Sequence, residues 1–233
     1  MTRHLFTALV LLTAALFALA IHQIFLVAPV EAVMGIVQKI FYFHVPVAYV
    51  MYVGATACFA GSAWYLATGN MKGDAIAQAG GEIAVAFGAL VLITGPLWAR
   101  KAWGTYWTWD PRLTTTLLAL LIYVAYLVLR AFGGEGEAER KFAAALGILG
   151  VADLPIIHYS VRKWSGQHPN VINKGGGGLD PAMVPALLWS LAAFTALAIV
   201  LIWVRARGEI IAQRLHTVRE SAIEAGLITE EQL

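Results

Sequence analysis

The sequence predicts an all-α integral membrane protein, and three observations carry that prediction. Of the 233 residues, 60% are hydrophobic and only 13% charged, and the mean hydropathy of +0.72 lies far above that of soluble domains. Apolar runs of about 20 residues, the length a helix needs to cross a bilayer, occupy roughly 5–28, 45–68, 80–98, 113–132, 142–161 and 184–204. The stretches between them are short. Six transmembrane helices joined by short loops follow, with both termini in one compartment. Residues 1–205 form the membrane domain and 206–233 a charged tail of helical periodicity outside the bilayer.

Taken in order, Arg3 and the small residues Ala18-Leu19-Ala20 resemble a cleavable signal. The apolar run continues through Ile24-Phe25-Leu26-Val27, which favours an uncleaved first helix. Over residues 31–43, Val33, Met34, Ile36, Val37, Ile40 and Phe41 recur at helical spacing with Gln38 and Lys39 opposite, which predicts a short helix lying in the interface. Pro46 suits the first turn of the second span, which places His44 just outside that span at membrane-surface depth.

In the third span Gly81, Gly88 and Gly95 share one face, as where another helix packs closely. Glu82 reads as an interfacial residue at the margin of that span. Asp110-Pro111 and Asp180-Pro181 read as helix starts, Asp as N-cap and Pro at the first helical position. In the fifth span Asp153-Leu154-Pro155 predicts a kink, with Asp153 facing the bundle interior or an aqueous cavity.

Composition excludes several classes. Cys58 is the one cysteine, so no internal disulfide, dithiol redox pair or covalent haem-attachment motif is possible. The glycine run after Lys174 lacks the ending of a nucleotide-binding P-loop. A net charge of +2 gives no case for nucleic acid. On the side of the termini lie nine basic residues (Arg3, Lys72, Arg130, Arg140, Lys141, Arg205, Arg207, Arg214, Arg219); the other side carries seven (Lys39, Arg100, Lys101, Arg112, Arg162, Lys163, Lys174). The excess places the termini in the cytoplasm. Seven cations on the translocated side run against the same preference, and they share their loops with the chain's chemistry-bearing residues. An anionic ligand would account for them.

Three translocated segments carry that chemistry. The first is His44 with Phe41, Tyr42 and Phe43. The second is Trp103-Gly-Thr-Tyr106-Trp107-Thr-Trp109-Asp110-Pro-Arg112, an indole-rich platform closed by a guanidinium. The third is His168 with Arg162, Lys163 and Trp164. A porphyrin needs axial imidazoles for its iron, aromatic faces for its ring and cations for its propionates. Either histidine alone fits an interfacial hydrogen-bonding residue; two on one side, flanking the indole platform, favour a metal-centred cofactor. His158 competes with His168 for the second place, and His22 is a weaker candidate. His4 and His216 fall on the terminal side.

The segment WGTYWTWDPRLT resembles the tryptophan-rich signature of the haem-handling membrane proteins of cytochrome c biogenesis. From Gln38 to Trp203 the chain is similar to the haem exporter protein C family of the cytochrome c maturation system. Phe43-His44-Val-Pro46, Leu154-Pro-Ile-Ile-His158-Tyr-Ser160, His168 and Asp180-Pro-Ala-Met183 carry the rest of the likeness. The resemblance implies non-covalent haem b, with His44 and His168 as iron ligands and the tryptophan-rich segment supporting the ring. Tyr106 stands where the family more usually has tryptophan. It further implies a multi-pass protein of the bacterial inner membrane, its haem site facing the periplasm. Its implied partners are a membrane-anchored haem chaperone, an ATP-binding-cassette complex and a small single-span protein. Haem delivery without catalysis is the expected function. The alternatives are a cytochrome c haem lyase or synthase, whose relatives are longer, a haem permease conducting through its own bundle, and an electron-transferring b-type cytochrome.

Overall fold

The computed structural model describes residues 2–134, 136–164, 166–168, 178–227 and 229. Its helices are α1 (Arg3–His22), α2 (Phe41–Thr68), α3 (Met71–Trp103), α4 (Pro111–Phe132), α5 (Glu137–Val151), α6 (Asp153–Trp164) and α7 (Val184–Glu224). With α5 and α6 taken together across their break, six helical segments among the described residues are long and apolar enough to span a membrane. Among the described residues there are no strands. Lys174 and its neighbours lie outside those residues.

Helices α2 and α3 share the most extensive interface, and glycine on both sides explains it. A Cβ at Gly61 would stand 2.4 Å from the Ala77 nitrogen, and one at Gly80 2.3 Å from the Cys58 nitrogen. Without side chains there the two backbones approach closely, the contact by which helices associate where lipid is as apolar as leucine. Gly69, left-handed at φ 68°, ends α2, and the Asn70 side chain caps α3 by accepting the Lys72 N–H. Helix α4 packs on the other face of α3, and α1 pairs with α7. Val50, Met51, Cys58, Ala84, Tyr123, Tyr126 and Ala198 are fully buried between them.

Hydropathy underestimates two helices. The third begins at Met71, nine residues before its apolar run. The last continues as one helix to Glu224, about 60 Å at 1.5 Å per residue, against a hydrocarbon core of about 30 Å. Polar pairing supports both extensions. Asp74 accepts two hydrogen bonds from Arg130, each 2.9 Å, one from Arg140 at 3.4 Å and one from Gln213 of α7 at 3.1 Å. Glu82 pairs with Arg205 of α7. As expected from Asp153-Leu154-Pro155, the fifth span breaks, between α5 and α6. Asp153 is buried there, and neither carboxylate oxygen has a hydrogen-bond partner among the described residues.

The segment before α2 corrects the sequence reading. No amphipathic helix spans 31–43. The Glu31 carboxylate accepts the Val33 and Met34 N–H groups, Gly35 turns the chain at φ 62°, and a 3₁₀ turn, Ile36–Ile40, runs directly into α2. Gln38 and Lys39, expected on a polar face, are buried at 8% and 4% exposure. Lys39 reaches the Ile24 and Ala28 carbonyls that a π turn, Gln23–Val27, leaves at the end of α1. That pairing offsets the burial of its charge. Helix α2 therefore begins at Phe41. His44 lies inside it, and Pro46 is its sixth residue.

Candidate functional site

At the end of the bundle where α3 stops and α4 and α6 meet the loop to α7, a cavity of about 590 Å³ opens between α2, α3, α4 and α6. His44, Trp103, Trp107, Arg112, Arg162 and His168 line it, as do His158 and three aromatic residues that the sequence did not single out, Tyr49, Tyr52 and Trp98. The imidazoles of His44 and His168 are neighbours in the cavity, ring centres 6.5 Å apart and planes 32° from parallel.

Each histidine is held by a different device. His44 comes from the first turns of α2 and rests against Gly95 of α3, where an added Cβ would lie 3.2 Å from Cε1 of the ring. One residue earlier, Thr94 donates its hydroxyl proton to the Leu90 carbonyl at 2.7 Å. Its oxygen therefore accepts the Nδ1–H of His44, 2.8 Å away. That fixes the tautomer and leaves the lone pair on Nε2.

His168 is positioned by the segment that starts α4. Asp110 caps the helix by accepting the Arg112 N–H at 2.9 Å, and its second oxygen accepts the Gln167 N–H at 2.5 Å. Gly166 permits this approach, since a Cβ there would stand 2.6 Å from the carboxylate. Arg112 spans the gap to α6. Its Nε donates to the Ile157 carbonyl at 3.3 Å, Nη2 to the His158 carbonyl at 3.2 Å, and Nη1 to Nδ1 of His168 at 3.0 Å. The guanidinium expected to meet a ligand carboxylate is thus engaged within the protein.

The aromatic run divides. Trp103 stands edge-on to both Trp98, at 5.9 Å, and His168, at 6.4 Å. Trp107 packs edge-on against Trp109 at 5.7 Å. Trp107 lines the cavity, whereas Trp109 and Tyr106 stand outside it, 75% and 57% exposed, Tyr106 beneath the Arg100 guanidinium. Lys163 and Trp164 are exposed at the end of α6 and do not line the cavity. Asp110 is buried behind the wall. His158 stacks edge-on against Tyr159 at 4.9 Å, and only its backbone oxygen contacts Arg112.

Tyr52 was legible in one respect. With His44 inside α2, residues 44, 48 and 52 fall at i, i+4 and i+8 on one stripe, and all three line the cavity. Placing His44 outside the helix hid that register. Among the described residues no group of three or more His, Cys, Asp or Glu side chains surrounds a common point.

The sequence profile described as heme exporter protein C matches residues 1–221. A protein named "Heme exporter protein C" from Bradyrhizobium diazoefficiens is 37% identical over 211 residues, covering 89% of this chain and 79% of its own. Another of that name from Escherichia coli K12 is 36% identical over 190 residues, 79% of this chain and 75% of its own. One from Rhodobacter capsulatus is 29% identical over 201 residues. A match across nearly the whole length, through every helix that builds the cavity, makes this chain a member of the heme exporter protein C family.

Proposed function

We propose that the cavity binds haem non-covalently, as haem b, with His44 and His168 as the two iron ligands, and that the protein hands it on for cytochrome c maturation. The observation that carries the reading is the spacing of the two imidazoles. Two rings ligating one metal from opposite sides, each through a bond of about 2 Å, have centres roughly 6 Å apart; these stand 6.5 Å apart. Two nitrogens make an incomplete site for a bare ion, but they complete one whose other ligands arrive with a porphyrin. Trp98, Trp103, Trp107 and Tyr52 offer apolar faces to the ring, and Arg162 a cation at the rim.

The family's name supports export or transfer of haem rather than its covalent attachment. The cavity end faces the periplasm of a bacterial inner membrane in this reading, with the termini in the cytoplasm and residues 206–233 as a cytoplasmic tail. The recipient is a membrane-anchored haem chaperone. An ATP-binding-cassette complex and a small single-span protein complete the assembly.

The test is the absorption spectrum of the purified protein beside its His44→Ala, His168→Ala and His158→Ala variants. A Soret band lost in His44→Ala, weakened and shifted in His168→Ala, where His44 alone holds the haem, and kept in His158→Ala is expected. Absence of any band in the wild type after haem is added overturns the reading.

A further inference from the structure

We propose that Arg112 and the haem iron compete for His168, so that Arg112 is a positioning residue that weakens the second iron bond and prepares the cargo for release. The inference rests on the proposed haem site and deepens it. Its basis is the 3.0 Å contact between Arg112 Nη1 and His168 Nδ1. A guanidinium only donates hydrogen bonds. The Nδ1 lone pair is therefore the acceptor, and the neutral ring carries its proton on Nε2.

Both routes to an iron bond require that contact to break. If Nδ1 is the ligand, iron and Arg112 seek the same lone pair. If Nε2 is the ligand, the ring proton must reside on Nδ1, where it would face an N–H of Arg112, donor against donor. In either case the iron gains one nitrogen ligand, the Nη1–H···Nδ1 bond is lost, and Arg112 keeps its proton. His44 differs. Thr94 already sets its Nε2 as the lone-pair nitrogen, so that ring needs no proton shift to bind.

The asymmetry gives an order. Haem is held first and last by His44, and His168 closes and opens the site. Arg112 is well placed for the exchange because its other two donors remain anchored on the Ile157 and His158 carbonyls. Because the guanidinium is planar and rigid, those two anchors hold Nη1 in place, and it is the His168 ring that turns from Nη1 to the iron and back.

The experiment is a double-mutant cycle on the full-length protein loaded with haem, using Arg112→Leu, His168→Ala and the pair. Haem loss to excess apomyoglobin is followed by absorbance. Arg112→Leu should slow the loss about tenfold more when His168 is present than when it is alanine, the scale of one hydrogen bond to a charged group. Contacts of Arg112 with haem itself, or general damage to the fold, act equally in both backgrounds and cancel. Equal effects in the two backgrounds, or faster loss only when His168 is present, overturn the proposal.

A second readout needs neither haem nor the arginine variant. The 15N resonances of His168 in the haem-free wild type, assigned by their disappearance in His168→Ala, should show Nδ1 as the unprotonated nitrogen. A protonated Nδ1 in that state overturns the proposal. If the haem site itself were wrong, the loaded wild type would show no His168-dependent Soret band, an outcome distinct from both.

Discussion

Thr94 accepts the Nδ1–H of His44 at 2.8 Å while donating its own proton one turn back to Leu90. A hydroxyl committed in this direction does more than orient a ring, because it decides which nitrogen holds the lone pair. Partners of this kind on a metal-binding histidine typically change affinity by about 10–100-fold. Thr94→Val, which keeps the shape and removes the hydroxyl, should weaken haem binding by about that factor, and Thr94→Ser should restore most of it. Haem titration at the Soret maximum measures both. Unchanged affinity in Thr94→Val would remove the threonine from the site.

Gly95 and Gly81 lie on the same face of α3 yet serve different neighbours, and alanine should separate them. At Gly81 a Cβ would meet the Tyr126 ring at 2.7 Å, deep against α4. Overpacking of that kind destabilises by about 1–3 kcal/mol. At Gly95 its three nearest atoms would all belong to the His44 ring, the first at 3.2 Å. Gly81→Ala should lower the thermal midpoint and leave the Soret band of the folded protein unchanged; Gly95→Ala should do the reverse. Thermal unfolding in detergent and the absorption spectrum are the two measurements.

The glycine pattern shows how far the sequence speaks for itself. The spacing of Gly81, Gly88 and Gly95 announces a close approach, but periodicity does not say whether a helix or an imidazole fills the space. The six spans are legible because lipid imposes a uniform apolar requirement over about 20 residues. Helix beyond that requirement is not: residues 71–79 and 206–224 are helical through pairing such as Asp74 with Gln213, which no window of hydropathy registers. Asp110-Pro111 is legible because capping is local chemistry. That the same carboxylate also holds Gln167, 57 residues away, depends on tertiary placement. The register of His44 turned on Gly35, whose φ of 62° turns the chain just before the 3₁₀ turn that runs into α2, so that α2 begins five residues before the proline.

Asp110→Asn should divide the two functions of that carboxylate. Asparagine keeps an oxygen to accept the Arg112 N–H, so α4 remains capped. Its amide nitrogen, turned to the Gln167 N–H, sets donor against donor and frees the loop that carries His168. The expected outcome is a thermal midpoint close to wild type with a weakened, His168-dependent haem band. Asp110→Ala removes the cap as well, and should cost about 1 kcal/mol more in stability, the typical value of an N-cap. If Asp110→Asn binds haem as the wild type does, the contact with Gln167 does not set the position of His168.

At the opposite end of the bundle Asp74, 2% exposed, faces two arginines whose side chains are only 10% and 16% exposed. The group stabilises through completeness rather than through the strength of any one pair. Burying an Arg–carboxylate pair gains little over an apolar pair of the same shape, whereas deleting one partner leaves charge without compensation and costs about 3–5 kcal/mol. Asp74→Leu should therefore lower the thermal midpoint sharply, and Asp74→Leu with Arg130→Met should recover part of the loss, because the double change removes charge of both signs. In neither variant should the Soret band of the remaining folded protein change, since α3 alone places Asp74 about 25 Å from Val91, the first of its residues to line the cavity. A double variant no more stable than Asp74→Leu would mean that Arg140, 3.4 Å from the same carboxylate, is the cation whose loss of compensation dominates.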